Sequence, residues 1–213
     1  MTLYEKRVAV GMFGIHFQES LQHWMGWITN VNYKNVMENN QAMLFQHFTP
    51  TFFSSTYFSS QVSQLLNDFD FHTIKMKKIR NIKSSAVEDA FVIRNTIFLD
   101  TIEVILGSKE TFDYVLLMRY DLQFKTSPIT NLNFDKINLL CRTKWGTNED
   151  LVDDNFYFMP FSKLQFFYET VKNIPLNVSS HEYEHYFPND EFSYAVEGKF
   201  YSHEIPIYSI RRN

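Results

Sequence analysis

Residues 87–118 constrain the fold more than any other stretch. From Val87 to Leu106, apolar residues recur at three- and four-residue intervals (Phe91, Val92, Phe98, Leu99, Ile102, Ile105, Leu106), the spacing of one helical face. Gly107 closes the pattern in the manner of a C-cap glycine. Soon after comes Tyr114 to Met118 (Y-V-L-L-M), which is apolar without alternation, the signature of a strand buried on both faces. Such a strand needs a covering layer on each side, and the helix just before it supplies one. An α/β domain is expected.

The rest of the chain supplies matching elements. Further strands are expected at Arg7–Phe13, Thr51–Phe53, Phe71–Met76, Ile137–Cys141 and Phe156–Met159. Helices are expected at Tyr33–Phe48 (closed by Pro50), at Ser59–Leu66 with Ser59 or Ser60 as the cap, and at Leu164–Val171. The tail, Phe192–Ile210, reads as short strands and turns. Strands that alternate with helices give a mainly parallel mixed sheet, of about six strands here. With 213 residues and no internal repeat, residues 1–213 read as a single domain.

Composition removes several function classes. A formal charge of −4 argues against an electrostatic nucleic-acid binder. The lone Cys141 excludes an intrachain disulfide and a multi-cysteine zinc site, and points to a reducing, cytoplasmic setting. No secretory signal is read at the N-terminus, and no apolar run approaches the ~20 residues that span a bilayer.

In parallel sheets ligands bind beyond the carboxyl ends of the strands, so the residues there are the candidates. Gly11 and Gly14 follow or end the first strand, where glycine lets a backbone approach a ligand such as a nucleotide. Their spacing is neither G-x-G-x-x-G nor a P-loop. Arg119-Tyr120-Asp121 ends the buried strand: Asp121 is a ligand for a hard cation, and Arg119 a partner for a phosphate or for Asp121 itself. Arg94-Asn95 on the long helix offers a second phosphate contact. Asn148-Glu149-Asp150 and Asp153-Asp154-Asn155 precede the strand F-Y-F-M and suit a sugar hydroxyl, a metal or a general base. Finally, His181-Glu182-Tyr183-Glu184-His185 spells H-E-x-x-H, with both histidines on one face if the segment is α-helical. Pro175 and Pro188 leave room only for a short helix.

In order, these pieces resemble the GT-A class of nucleotide-sugar glycosyltransferases. In that class a first strand and loop hold the nucleotide, and a buried strand ends in an Asp-x-Asp motif that binds Mn²⁺. V-L-L-M-R-Y-D-L-Q-F occupies that place here, with Arg119 where the first acid stands and Asp121 as the remaining one. The strings I-R-N-T-I-F-L-D and F-D-Y-V-L-L-M-R-Y-D-L-Q-F are similar to small viral and algal glycosyltransferases, and to the N-terminal glycosyltransferase domains of large chlorella-virus multidomain enzymes.

The resemblance implies a GT-A fold and transfer of a hexose or deoxyhexose from a UDP-sugar to a hydroxyl of a glycan or glycoprotein acceptor, a viral capsid glycoprotein in that setting. It implies Mn²⁺ or Mg²⁺ at Asp121, with His203 or His181 completing the shell. Gly11, Gly14, Arg94 and Arg119 would lie against the nucleotide diphosphate, Tyr57 against uracil, and Asp153 or Asp154 against the acceptor hydroxyl. The setting would be the host cytoplasm, with no membrane span, no nucleic-acid partner and further domains beyond this one. Two other readings stay open. H-E-x-x-H would suit a metal-dependent hydrolase. The 17% of aromatic residues would suit a non-catalytic carbohydrate-binding module.

Overall fold

A computed structural model of the chain describes residues 3–14, 16, 22–24, 27–29, 32–77, 87–124, 127–140, 142–144, 150–152, 155–195 and 208–210. The strands are β1 (Arg7–Phe13), β2 (Gln22–Trp24), β3 (Trp27–Thr29), β4 (Thr49–Tyr57), β5 (Phe71–Lys77), β6 (Tyr114–Arg119), β7 (Leu122–Phe124), β8 (Ile137–Leu139), β9 (Arg142–Lys144), β10 (Asp150–Val152), β11 (Phe156–Pro160), β12 (Phe192–Tyr194) and β13 (Tyr208–Ile210). The α-helices are α1 (Lys34–Met43), α2 (Val62–Asp68), α3 (Val87–Leu106) and α4 (Leu164–Lys172).

Seven strands form one mixed sheet in the order β12-β8-β11-β6-β1-β4-β5. All neighbours are parallel except at β11, which runs antiparallel to both β6 and β8. The chain moves from β1 outward through β4 to β5, then returns to place β6 on the other side of β1. This reversal is a topological switch point at the carboxyl ends of β1 and β6, the place where open α/β sheets bind their ligands. The helices follow the reversal. Leu65 of α2 and Met37 and Met43 of α1 pack on the face bearing Val8, Val10, Met12, Leu116 and Met118. Ile97, Phe98, Ile102 and Ile105 of α3 pack with α4 on the opposite face, against Ala9, Phe13, Val115 and Leu117.

The two most strongly patterned stretches fold as expected. Helix α3 spans Val87–Leu106, and β6 is buried on both faces from Tyr114 to Met118. Each large apolar side chain removed from water there contributes roughly 1.5–3 kcal/mol. Strand β4 is longer than the expected Thr51–Phe53. It starts before Pro50, so that proline does not close the preceding helix but lies inside the strand, and it continues through Ser54-Ser55-Thr56. Two of those hydroxyls are satisfied inside the fold: Ser54 donates to the Met12 carbonyl (2.9 Å) and Thr56 to the Gly14 carbonyl (2.8 Å). Among the described residues, no helix is long and apolar enough to cross a membrane.

Candidate functional site

Phe13 is the hub of the switch point. As the last residue of β1 it lies between Ser55 of β4 and Arg119 of β6. The Arg94 guanidinium, near the start of α3, sits 5.3 Å from the Phe13 ring centroid and 4.7 Å from that of Phe98. Gly14 follows Phe13 with φ +96°, a left-handed conformation that side chains rarely adopt, and among the described residues a Cβ built on it would meet nothing within 4 Å. A left-handed turn thus lies beside the ends of both central strands.

Gly11 has a different role from the one expected. It lies inside β1, buried, and a Cβ there would fall 2.7 Å from Leu117 Cδ2 and 2.9 Å from both Ile105 Cδ1 and Thr101 Cγ2. The missing side chain lets α3 pack closely on the sheet, so Gly11 faces the core and not a ligand.

Arg119 and Asp121 face one another. Arg119 donates from Nε (2.9 Å) and Nη2 (2.7 Å) to the two oxygens of Asp121, a bidentate pair. The Asp121 side chain is only 2% exposed, whereas that of Arg119 is 26% exposed. Both carboxylate oxygens are therefore engaged by a cation the chain itself supplies. Among the described residues, no cluster of three or more His, Cys, Asp or Glu side chains is arranged to hold a metal. Arg119 is the partner that fills Asp121 among the described residues.

Arg94 and Asn95 divide their work. Asn95 is a buried clamp: its Nδ2 donates to the carbonyls of Leu176 (2.8 Å) and Val178 (3.0 Å). Its Oδ1 accepts from Tyr183 Oη (2.8 Å) and Arg94 Nη1 (3.0 Å). Arg94 places its charge over the rings of Phe13, Phe98 and Tyr183, beside the end of β1. Tyr57, at the end of β4, packs on the α3 side of the sheet. Burial, with the Asp100 charge nearby, pushes its hydroxyl up to about 12. It stands near Asp100, which pairs with Lys75 and Lys77, and two residues beyond Ser55, the strand partner of Phe13.

Asn155 carries the acidic run to the switch point: its carbonyl accepts from the Arg119 backbone N–H at 3.1 Å. Asp153 and Asp154, just before it, lie outside the described residues, as do His203 and Cys141. The H-E-x-x-H segment folds as a 3₁₀-helix (Ser180–Tyr186), not an α-helix. At three residues per turn, positions i and i+4 diverge by roughly 120°, so His181 and His185 do not share a face. The zinc-hydrolase reading loses its geometric basis.

His16 ends the run Gly11–His16 after the first strand, but the sequence pattern assigns it no role. It is 1% exposed and lies against Tyr33 and Tyr120, with ring centroids 6.2 and 5.8 Å away. Its Nδ1 is 2.8 Å from Thr56 Oγ1 and its Nε2 is 2.9 Å from Ser59 Oγ. Burial pushes its pKa down to about 4. The available signal was a histidine two places beyond the glycine that ends the first strand; its partners lie some forty residues on. Ser59 or Ser60 was the expected helix cap, but α2 starts at Val62 with Gln61 in the cap position and no side-chain cap; Ser59 Oγ instead accepts from the Gln61 N–H (3.1 Å) in the turn before it.

The structure therefore joins Gly14, Arg94, Arg119 and Asp121 around the ends of β1 and β6, beside a buried histidine. Comparison of the chain with protein-family models and with curated proteins gives no match to either.

Proposed function

We propose that the chain is a glycosyltransferase of the GT-A type, moving a hexose or deoxyhexose from a UDP-sugar to a glycan hydroxyl, with a capsid glycoprotein as the acceptor suggested by the resemblance. The observation that carries this reading is the topological switch point between β1 and β6. There the left-handed turn at Gly14 follows Phe13, whose ring lies under the Arg94 guanidinium and whose strand partner is Arg119. An anionic diphosphate suits such a place, since switch-point crevices of open α/β sheets bind nucleotides and guanidinium groups match phosphate geometry. The strand order β5-β4-β1-β6, which repeats the 3-2-1-4 half of the dinucleotide-binding sheet, also supports it.

In this reading Arg94 and Arg119 offset the charge that grows on the departing UDP, and Asp121 acts on Arg119 as a positioning residue. No step is routed through a metal, because both oxygens of Asp121 already hold Arg119. Asp153 or Asp154 orients the acceptor, on the strength of the resemblance alone.

The test is release of UDP from a panel of UDP-hexoses and UDP-deoxyhexoses, with and without Mn²⁺. Turnover of at least one donor is expected. Arg94→Met, which keeps the packing over the aromatic rings and removes the charge, is expected to lower kcat/KM by about 100-fold. Folded protein that neither turns over nor binds any UDP-sugar would contradict the proposal.

A further inference from the structure

The hydrogen-bond directions around His16 define its tautomer. Thr56 Oγ1 donates its single hydrogen to the Gly14 carbonyl at 2.8 Å, and a carbonyl can only accept. In the 2.8 Å contact between Thr56 Oγ1 and His16 Nδ1, the ring must therefore be the donor. A neutral imidazole carries one N–H, so Nε2 is bare and accepts from Ser59 Oγ at 2.9 Å. Burial, which lowers the imidazole's affinity for a second proton, keeps the ring neutral at neutral pH. Ser59 Oγ in turn accepts from the Gln61 backbone N–H at 3.1 Å, a contact that favours negative charge on that oxygen. The ring is walled by Tyr33 and Tyr120, and its backbone is tied by the Tyr33 N–H to the His16 carbonyl at 2.9 Å. Ser59 is half-buried and follows Phe58, which is 52% exposed.

A hydroxyl donating to a bare imidazole nitrogen, with the other ring nitrogen donating to an orienting group, is the arrangement of an activated nucleophile. We infer that Ser59 is a nucleophilic hydroxyl with His16 as its base and Thr56 orienting that base, and that its substrates are carboxylic esters. In the reaction a bond forms between Ser59 Oγ and the acyl carbon while the Ser59 proton passes to His16 Nε2. The bond to the leaving alcohol then breaks as His16 returns that proton to it. Water releases the acyl group by the same steps in reverse, with His16 again as base. A threonine hydroxyl orients the ring without adding a negative charge to steady the imidazolium, so turnover is slow compared with a carboxylate-backed histidine. This activity does not depend on the glycosyl-transfer reading.

The test is labelling of the full chain by an alkyl fluorophosphonate, followed by peptide mass spectrometry. Here the P–F bond breaks, a P–O bond to Ser59 forms and the proton leaves through His16. An adduct on the peptide carrying Ser59 is expected, with none in Ser59→Ala and a rate lowered at least about 100-fold in His16→Gln. No adduct on Ser59 in the folded protein, or an unchanged rate in a folded His16→Gln, overturns the inference. Imidazole nitrogen shifts of the wild-type protein give a second readout that needs no variant. A proton on Nδ1 is expected, and a proton on Nε2 refutes the arrangement.

Discussion

Acidifying the solution should cost this protein stability through His16 in particular. Burial takes its pKa from 6.5 down to about 4, so the folded chain holds the imidazole proton less tightly than the unfolded chain does. Between those two values the unfolded state binds more protons, and stability rises with pH. The contribution is fully present above the unfolded value and is lost as pH falls toward the folded one. At 1.36 kcal/mol per unit, it amounts to about 3 kcal/mol. The cause is loss of water from the ring in a site walled by Tyr33 and Tyr120. Urea denaturation of wild type and His16→Gln at several pH values from 7 to 4 isolates it. Asp68 and Asp113 also have carboxyls held below their usual range, by Tyr33 and Lys6 respectively, and they weaken both proteins in acid. The difference between the two proteins removes their share. Wild type should lose about 3 kcal/mol more than the variant over this range. Parallel profiles would refute the burial argument.

Other substitutions test the packing and the switch point. Gly11→Ala should destabilise by about 1–3 kcal/mol in urea denaturation, because its Cβ meets Leu117, Ile105 and Thr101 inside 3 Å. Phe98→Ala should cost about 3–5 kcal/mol in the same assay, since this fully buried ring touches Phe13, Tyr157 and Phe167 and lies under Arg94. Arg119→Ala should cost about 3 kcal/mol by leaving the buried Asp121 carboxylate without the fork that holds it. Adding Asp121→Asn to that variant should recover part of the loss, and a double variant no more stable than Arg119→Ala would count against the pair.

The legible parts of this fold were those whose signal is local. The periodicity of Val87–Leu106 and the unbroken apolar run Tyr114–Met118 each arise from one element meeting one core, and the first strand, Arg7–Phe13, is likewise a compact β-branched run. The length of β4 was hidden because Ser54, Ser55 and Thr56 read as polar. Ser54 and Thr56 are satisfied by Met12 and Gly14, which are distant in sequence. The role of Gly11 was hidden for a related reason: glycine at a strand end and glycine under a packed helix look alike until Ile105 and Thr101 are placed against it. Of the candidate site, Arg119 and Asp121 were found by their place after a buried strand, and pairing between them was one of the partners foreseen for Arg119. The H-E-x-x-H spacing misled because it assumes an α-helix, and the segment takes the tighter 3₁₀ form. His16, at the end of the run Gly11–His16, took no role from the sequence because its partners Thr56 and Ser59 are brought near it only by the β1–β4 pairing.

Thermal unfolding in the presence of UDP tests the central claim most directly, because a ligand that binds only the folded chain raises the melting temperature. The account predicts that UDP, at a concentration about 100 times its Kd, stabilises the protein by about 2.7 kcal/mol and that uridine without phosphates does so far less. It also predicts that Arg94→Met weakens the effect. An unchanged melting temperature at millimolar UDP, both with and without Mn²⁺, would contradict the account.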